Sequence, residues 1–290
     1  LDIPIEHIEI SAEIDTRANP YDWNTVASKL TFMGGNAVIK ASREMLSKMK
    51  AVAAQALRTD PENLLHANGE IFHRHNPNRR MSYKDVALGY MYPNGTGIGG
   101  PLISSGSSIA DGLTNLHPET GQGYPAAVWT FGAHAVEIEV DVETGVITVL
   151  KVASAFDIGQ VINEKLVYGQ ICGGVLQGLG SAILEGYKFN DKLQLMNPSF
   201  TDNKIPTMKD VPIEVVPIYI ENPQHNGPYG ARGVGEHPMI SVPSAVGNAV
   251  YDALGINFHV LPLSPEAIAL GIASGKKSIL CTDVDCLPGH

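Results

Sequence analysis

The sequence predicts an α+β fold, with strands and helices interspersed and no strict βα alternation. Three observations carry that reading. Val136–Val152 has the period of two expected of a β-hairpin, Thr31–Leu57 has the spacing of a long helix, and Gly95–Gly123 between them turns to Gly, Ser and Thr. With 290 residues and 44% hydrophobic content, the chain can build one large or two ordinary domains around a substantial core.

Pro4–Asp15 reads as a strand, with Ile8, Ile10 and Ile14 on one alternating face. A loop rich in Asn, Pro and Asp follows at Asn19–Asn24. Over Thr31–Leu57, Ala37, Ala41, Met45, Met49 and Ala53 recur at helical spacing, and Asp60-Pro61 ends the helix. Gly69–His73 is a short strand. Ser82-Tyr83-Lys84-Asp85 resembles a capped helix start, although Asp is a poorer partner than Glu in such a box. Gly95–Gly123 is a long loop over a surface or an interface. It is the candidate boundary between two lobes, near 95–123, with a single shared core as the alternative.

In the hairpin, Val136, Ile138 and Val140 alternate with charged residues, Glu143-Thr144-Gly145 makes the turn, and Val146–Leu150 returns. Gly169–Glu185 should be a glycine-rich helix packed close to a neighbour. Ile213–Ile220 is a further strand and Ser244–Gly255 a helix. Ser264-Pro265-Glu266 opens the last helix, with Pro at its first position. There is no internal repeat.

Thirty glycines and nineteen prolines imply many turns and loops lying close to a ligand. The net charge of −10 argues against nucleic acid as a partner. No apolar run reaches transmembrane length and no secretory signal opens the chain, so the expected location is the cytoplasm, off the membrane. Leu1 is not an initiator methionine, so residues may precede it in the natural chain. Of the three cysteines, Cys172, Cys281 and Cys286, the last two lie close together with only His290 nearby, which favours incidental thiols over a metal site. His66, His73 and His75 form a cluster that reads as solvated or strand-face histidines, because no carboxylate completes a metal set. Neither an iron–sulfur cysteine array nor a dinucleotide fingerprint is present.

The most informative stretch is Gly227-Pro228-Tyr229-Gly230-Ala231-Arg232-Gly233-Val234-Gly235-Glu236. Its glycines let the backbone take positive φ and lie against a ligand, and a single carboxylate follows them. This pattern suggests a cofactor pressed on main chain with one proton acceptor aimed at it; a surface loop has the same composition.

Gly230–Glu236 resembles the active-site signature of the molybdenum hydroxylases, the xanthine dehydrogenase and aldehyde oxidoreductase family. The run His237–Gly255 is similar to the family's continuation, with Asn248–Ala253 matching its Asn-Ala-x-Tyr-Asp-Ala helix. Gly169–Gly180 resembles its Gln-Ile-x-Gly-Gly-x-x-Gln-Gly-Leu-Gly segment, Asp157–Asn163 its Asp-x-Gly-x-x-Ile-Asn loop, and Asn197–Pro206 a further Asn-Pro…Ile-Pro stretch. Ala27-Ser28-Lys29-Leu30-Thr31, followed by Gly35-Asn36-Ala37, is similar to its dinucleotide-contacting loop and helix.

The resemblance implies the second, C-terminal part of the molybdopterin-binding region, residues 1–290, of a split bacterial enzyme of the nicotinate dehydrogenase kind. It implies a molybdenum-dependent oxidoreductase, active only with partner subunits, that hydroxylates an electron-poor carbon of an aromatic N-heterocycle or purine with water as oxygen donor. Aldehyde oxidation, hydroxyaromatic thioester reduction, or a non-catalytic assembly subunit are the alternatives. The implied cofactor is molybdopterin cytosine dinucleotide, its molybdenum held through the pterin dithiolene and not by protein side chains. [2Fe–2S] clusters and FAD are expected on separate subunits, beside a second molybdopterin subunit.

By the same resemblance Glu236 accepts the proton of the attacking hydroxyl group, a role suited to a carboxylate whose pKa burial raises. Gly233, Val234 and Gly235 offer main-chain contacts near the metal's ligands. Ala27, Ser28, Lys29, Leu30 and Thr31 meet the diphosphate and nucleotide, chiefly through backbone N–H groups at a helix start. Lys29 and Leu30 depart from the family's commoner Ser-Arg-Gln pattern, which leaves backbone contacts intact and puts side-chain contacts in question. Arg232 stands where many members carry Lys, as a structural cation or a site residue. Gly173, Gly174, Gly178 and Gly180 read as close-packing positions, and Gln177 as a weaker candidate for facing the cofactor. Trp23 and Tyr21 are candidates for a substrate funnel or for packing.

Overall fold

The computed structural model describes residues 1–280 except 12, 18, 20 and 22–24. It divides into two compact units, Leu1–Tyr124 and Pro125 onward, at the C-terminal end of the Gly/Ser/Thr-rich loop. Strands and helices are mixed in both, as α+β requires. Trp23, Cys281, Cys286 and His290 lie outside the described residues.

In the first unit a π-helical turn, Leu30–Gly34, runs directly into α1 (Gly35–Ala56). Met49, Val52, Ala53 and Ala54 from its C-terminal half meet Leu64, Ile71, Met81 and Val86 in a small core. Those partners come from an antiparallel meander of β1 (Leu64–Ala67), β2 (Glu70–His73) and β3 (Asn76–Ser82), followed by α2 (Tyr83–Ala87). The capping box at Ser82 forms despite its Asp: Asp85 N–H donates to Ser82 Oγ, and the Asp85 carboxylate accepts from Ser82 N–H at 3.1 Å. A short hairpin, β4 (Tyr90–Met91) and β5 (Gly97–Ile98), leads into the long loop. That loop is laid along α1. Lys40 and Lys48 donate to the carbonyls of Ser107 and Ile103, and a Cβ on Gly106 would sit 2.1 Å from the Ala37 carbonyl oxygen.

The strand expected at Pro4–Asp15 is not formed among its described residues, which hold only a short 3-10 turn at Ile5–His7. Ile10 and Ile14 are 85% and 92% exposed. A strand needs a neighbour to receive its N–H and C=O groups, and the sequence pattern by itself supplies none.

The second unit is built on a three-stranded sheet. β6 (Gly132–Val140) pairs antiparallel with β7 (Ile147–Asp157), which pairs in parallel with β8 (Glu214–Ile220). A parallel neighbour requires a crossover, and α3 (Glu164–Leu179) lies within it, extended by a π-helical turn at Gly180–Leu184. The helix begins five residues before the predicted start, because the Asn163 side chain caps it by accepting from Leu166 N–H at 3.1 Å. After β8 come α4 (His237–Ile240), α5 (Val242–Leu254), β9 (Asn257–Phe258), α6 (Pro265–Ser274) and β10 (Ser278–Ile279). Val152 and Phe156 of β7, Ile171 and Val175 of α3, and Val242, Val246 and Val250 of α5 form the larger core.

By length and composition Glu164–Leu184 could cross a membrane, contrary to the expectation that no run reaches that length. Nearly half of it is buried, however, and Gly174 and Gly178 pack on other helices, so it is a core helix. A Cβ on Gly174 would lie 2.5 Å from Pro238 Cβ, and one on Gly178 2.5 Å from Val242 Cβ. Gly180 is equally crowded, by Glu185 and Pro206, whereas Gly173 faces open space, which corrects its reading as a packing position. Gly178→Ala should therefore cost about 1–3 kcal/mol by overpacking, while Gly173→Ala gains up to about 1 kcal/mol of helix propensity. Urea unfolding of the two variants should shift in opposite directions.

Candidate active site

In the second unit, two of the sequence motifs form one structure. The Asp157–Asn163 loop and the Gly227–Glu236 signature are zipped together by backbone hydrogen bonds: Gln160 N–H to Gly230 O and Arg232 N–H to Ile158 O, both 2.9 Å. Gly159 and Ala231 form an isolated antiparallel bridge between them. Gly159 has φ 64°, and a Cβ there would lie 2.3 Å from Gly230 O, so only glycine allows this approach. Tyr229 is held in the left-handed region at φ 52° just before Gly230. Glu221, just after β8, fastens the Asp157–Asn163 loop by accepting from Val161 N–H at 2.7 Å and Gln160 Nε2 at 2.8 Å.

An ion pair sits beneath this junction. Arg232 Nη1 lies 3.2 Å from Asp157 Oδ2, with the two side chains only 9% and 10% exposed. The same Arg232 nitrogen donates to the Trp129 carbonyl at 3.1 Å. Asp157 also accepts from Gly159 N–H at 3.2 Å and from Asn222 Nδ2 at 3.4 Å. Of the two roles open to Arg232, the structure gives it the buried structural one.

From that anchored arginine the chain runs through Gly233, Val234 and Gly235, all partly buried and outside regular structure. Val234 turns its side chain to the core, so what it can offer a ligand is main chain. Glu236 follows at the N-cap of α4 and is exposed. The burial that would suit it as a proton acceptor is thus not supplied by this chain's described residues.

Directly after Glu236, the ring of His237 turns inward. It meets Phe156 of β7 edge-on, centroids 5.3 Å apart, and His134 of β6 meets the same Phe156 at 5.2 Å. His134 Nδ1 and Ser154 Oγ share a hydrogen bond of 2.8 Å. Nε2 of His237 is buried without a partner among the described residues. Burial pushes His237 down to about 4 from its usual 6.5. Burial lowers His134 as well, opposed in part by the Pro238 main chain.

A pKa depressed in the folded state means that the native protein binds fewer protons than the unfolded chain. This contribution to stability is complete above about pH 6.5 and is lost as pH falls toward 4. Urea midpoints should therefore drop between pH 7 and 4, and less steeply in His237→Phe.

The second group of candidates, Ala27–Thr31, belongs to the first unit. Ala27 and Ser28 are consecutive non-glycine residues at φ 54° and 53°, a conformation that costs energy unless its surroundings impose it. They lead into the helical run starting at Leu30, whose N-cap, Lys29, makes no side-chain capping bond. Phe32 is buried and anchors the turn, while Leu30 is 57% exposed.

Of the remaining candidates, Asn197 has a structural place: it is buried, accepting from Lys188 N–H at 2.8 Å and donating to Gly186 O at 2.6 Å. Gln177 is exposed on α3, and Tyr21 is exposed. The rings of His73 and His75 are 6.0 Å apart, and no group of three His, Cys, Asp or Glu among the described residues could hold a metal ion. Sequence reasoning missed His134, Phe156, Trp129 and His237; the one available signal was that Phe156 and His237 adjoin motif residues.

The family model of the molybdopterin cofactor-binding domain matches residues 1–212. The nicotine 6-hydroxylase large subunit of Paenarthrobacter nicotinovorans is 33% identical over 92% of this chain and 32% of its own length. The putative xanthine dehydrogenase molybdenum-binding subunit of Escherichia coli K12 is 32% identical over 92% of this chain and 33% of its own. Among solved structures, quinoline 2-oxidoreductase from Pseudomonas putida 86 superposes with a TM-score of 0.69 at 27% identity, covering 89% of this chain and 32% of that one. The chain thus spans about a third of the length of these relatives.

Proposed function

Because the chain belongs to the molybdenum hydroxylase family, as a region of its molybdopterin-binding subunit, we propose that it supplies the proton acceptor and part of the cofactor cradle of a multi-subunit hydroxylase. The reaction places oxygen from water on an electron-poor carbon of an aromatic N-heterocycle or purine. One observation carries this reading: the exposed carboxylate of Glu236 stands at the end of a glycine run whose base is fixed by a buried ion pair. A main chain anchored at Arg232 that presents one acid outward suits a site that must hold a reacting group at a fixed distance.

The residues present fit a pterin cofactor with a diphosphate. Ala27 and Ser28, held in the left-handed region just before a helix start, would shape backbone suited to an anion, and Lys29, Leu30 and Thr31 continue it. In the second unit, Gly233, Val234 and Gly235 would bring main chain against the metal's ligands. When bound, the molybdenum–pterin supplies the redox chemistry. Glu236 must be ionised to take a proton from the attacking hydroxyl group, and it must hold that proton afterwards. Water has to be kept from it during the reaction, and in this reading the rest of the enzyme and the substrate cover it.

The partners in this reading are a second molybdopterin subunit, an iron–sulfur subunit with [2Fe–2S] clusters and an FAD subunit. The cofactor is the cytosine dinucleotide form and the location cytoplasmic. Support for a multi-subunit assembly comes from relatives named as large or molybdenum-binding subunits. Aldehyde oxidation is the second reading, favoured by 31% identity over 77% of this chain to the aldehyde oxidoreductase of Megalodesulfovibrio gigas.

Native purification tests both. The preparation should hold molybdenum and release cytosine nucleotide in amounts near that of this chain. It should also oxidise nicotine, quinoline or xanthine with a dye acceptor. Turnover of benzaldehyde alone would favour the second reading, and a metal-free, solitary chain would remove both.

A further inference from the structure

Resting on that reading of Glu236, we infer that the ring of His237, held edge-on against Phe156, is the positioning residue that sets the direction of the Glu236 carboxylate. The signature is gripped at two points by adjacent residues of β7. Asp157 holds Arg232, four residues before Glu236, and Phe156 holds His237, one residue after it. Four residues of glycine-rich chain span the interval, and glycines by themselves define no direction. At 2% exposure Phe156 is an immobile surface for the His237 ring. A second ring, that of His134, packs on Phe156 as well and is itself tied to Ser154. With His237 turned inward at the first position of α4, the preceding residue faces outward.

It is the shape of the ring that acts here. Nε2 of His237 is buried with no partner among the described residues, and an unpaired buried polar atom is a cost. An apolar ring of similar shape keeps the contact with Phe156 and removes that cost. Loss of the ring removes that tie to β7 and leaves the backbone at Glu236 held from the α4 side, by Pro238 against Gly174 and by the Met239 N–H to Glu236 O hydrogen bond.

The test uses the native complex carrying His237→Ala, His237→Phe or Glu236→Gln, with nicotine, quinoline and xanthine as probes and turnover expressed per bound molybdenum. In H237A this turnover should fall on the order of 100-fold, as expected for about 1 Å of misplacement, with KM changed less than about threefold. H237F should recover most of it. Crystal structures of the complex give a readout independent of turnover: Glu236 should be displaced by about 1 Å in H237A and should superpose on the wild type in H237F. Undiminished turnover per molybdenum in H237A, or an unmoved Glu236, overturns the positioning role. A loss that lies wholly in molybdenum content overturns it too, leaving a purely structural residue. Full turnover in E236Q removes the reading of the site, and the positioning role with it; lost turnover in E236Q beside full turnover in H237A removes the positioning role alone.

Discussion

Glu236→Gln should leave the assembled enzyme with its molybdenum and nucleotide but reduce turnover by ~10²–10⁴-fold, the range for removing a positioned general base. The amide matches the carboxylate in size and cannot take up the proton. Because Glu236 is exposed at the N-cap of α4 and outside the core clusters, the substitution should barely change stability. The informative result is the contrast between normal metal content and lost activity. Wild-type turnover in this variant would sink the role assigned to Glu236, and loss of molybdenum in step with activity would make it a structural residue.

Arg232→Met should destabilise the chain by about 3–5 kcal/mol, the range for breaking a buried ion pair from one side. Both side chains are about nine-tenths buried, so solvent does little to screen the unpaired charge left on Asp157. The Trp129 carbonyl would also lose its donor. Pairing Arg232→Met with Asp157→Asn should recover much of the loss, since no buried charge then stands alone. Urea unfolding at neutral pH measures all three variants. A loss below about 1 kcal/mol in the single mutant would show the pair behaving like a surface bridge.

What the sequence determined by itself was local. Strong periodicity placed α1, the β6–β7 hairpin and β8, because burial of one face repeats every 3.6 or two residues along the chain itself. Glycine and proline chemistry placed the turn at Glu143–Gly145 and the start of α6; glycine content followed by one acid singled out Gly227–Glu236, and the family resemblance singled out the Asp157 loop. Tertiary structure decided whatever depended on a partner distant in sequence. Asn-Pro-Asn-Arg-Arg-Met-Ser has little strand propensity, yet β3 forms there because β2 offers an edge with Ile71 opposite Met81. Ile8, Ile10 and Ile14 have the strand pattern and form none, because no strand among the described residues pairs with them. Arg232 reads equally as a site residue or a structural cation until Asp157, 75 positions earlier, is found 3.2 Å away. His134 and His237 acquire meaning only through the Phe156 between them. Propensity and turn chemistry act over a few residues and can be read along a line. Pairing, burial of charge and ring packing act through space, so they exist only once the chain has folded.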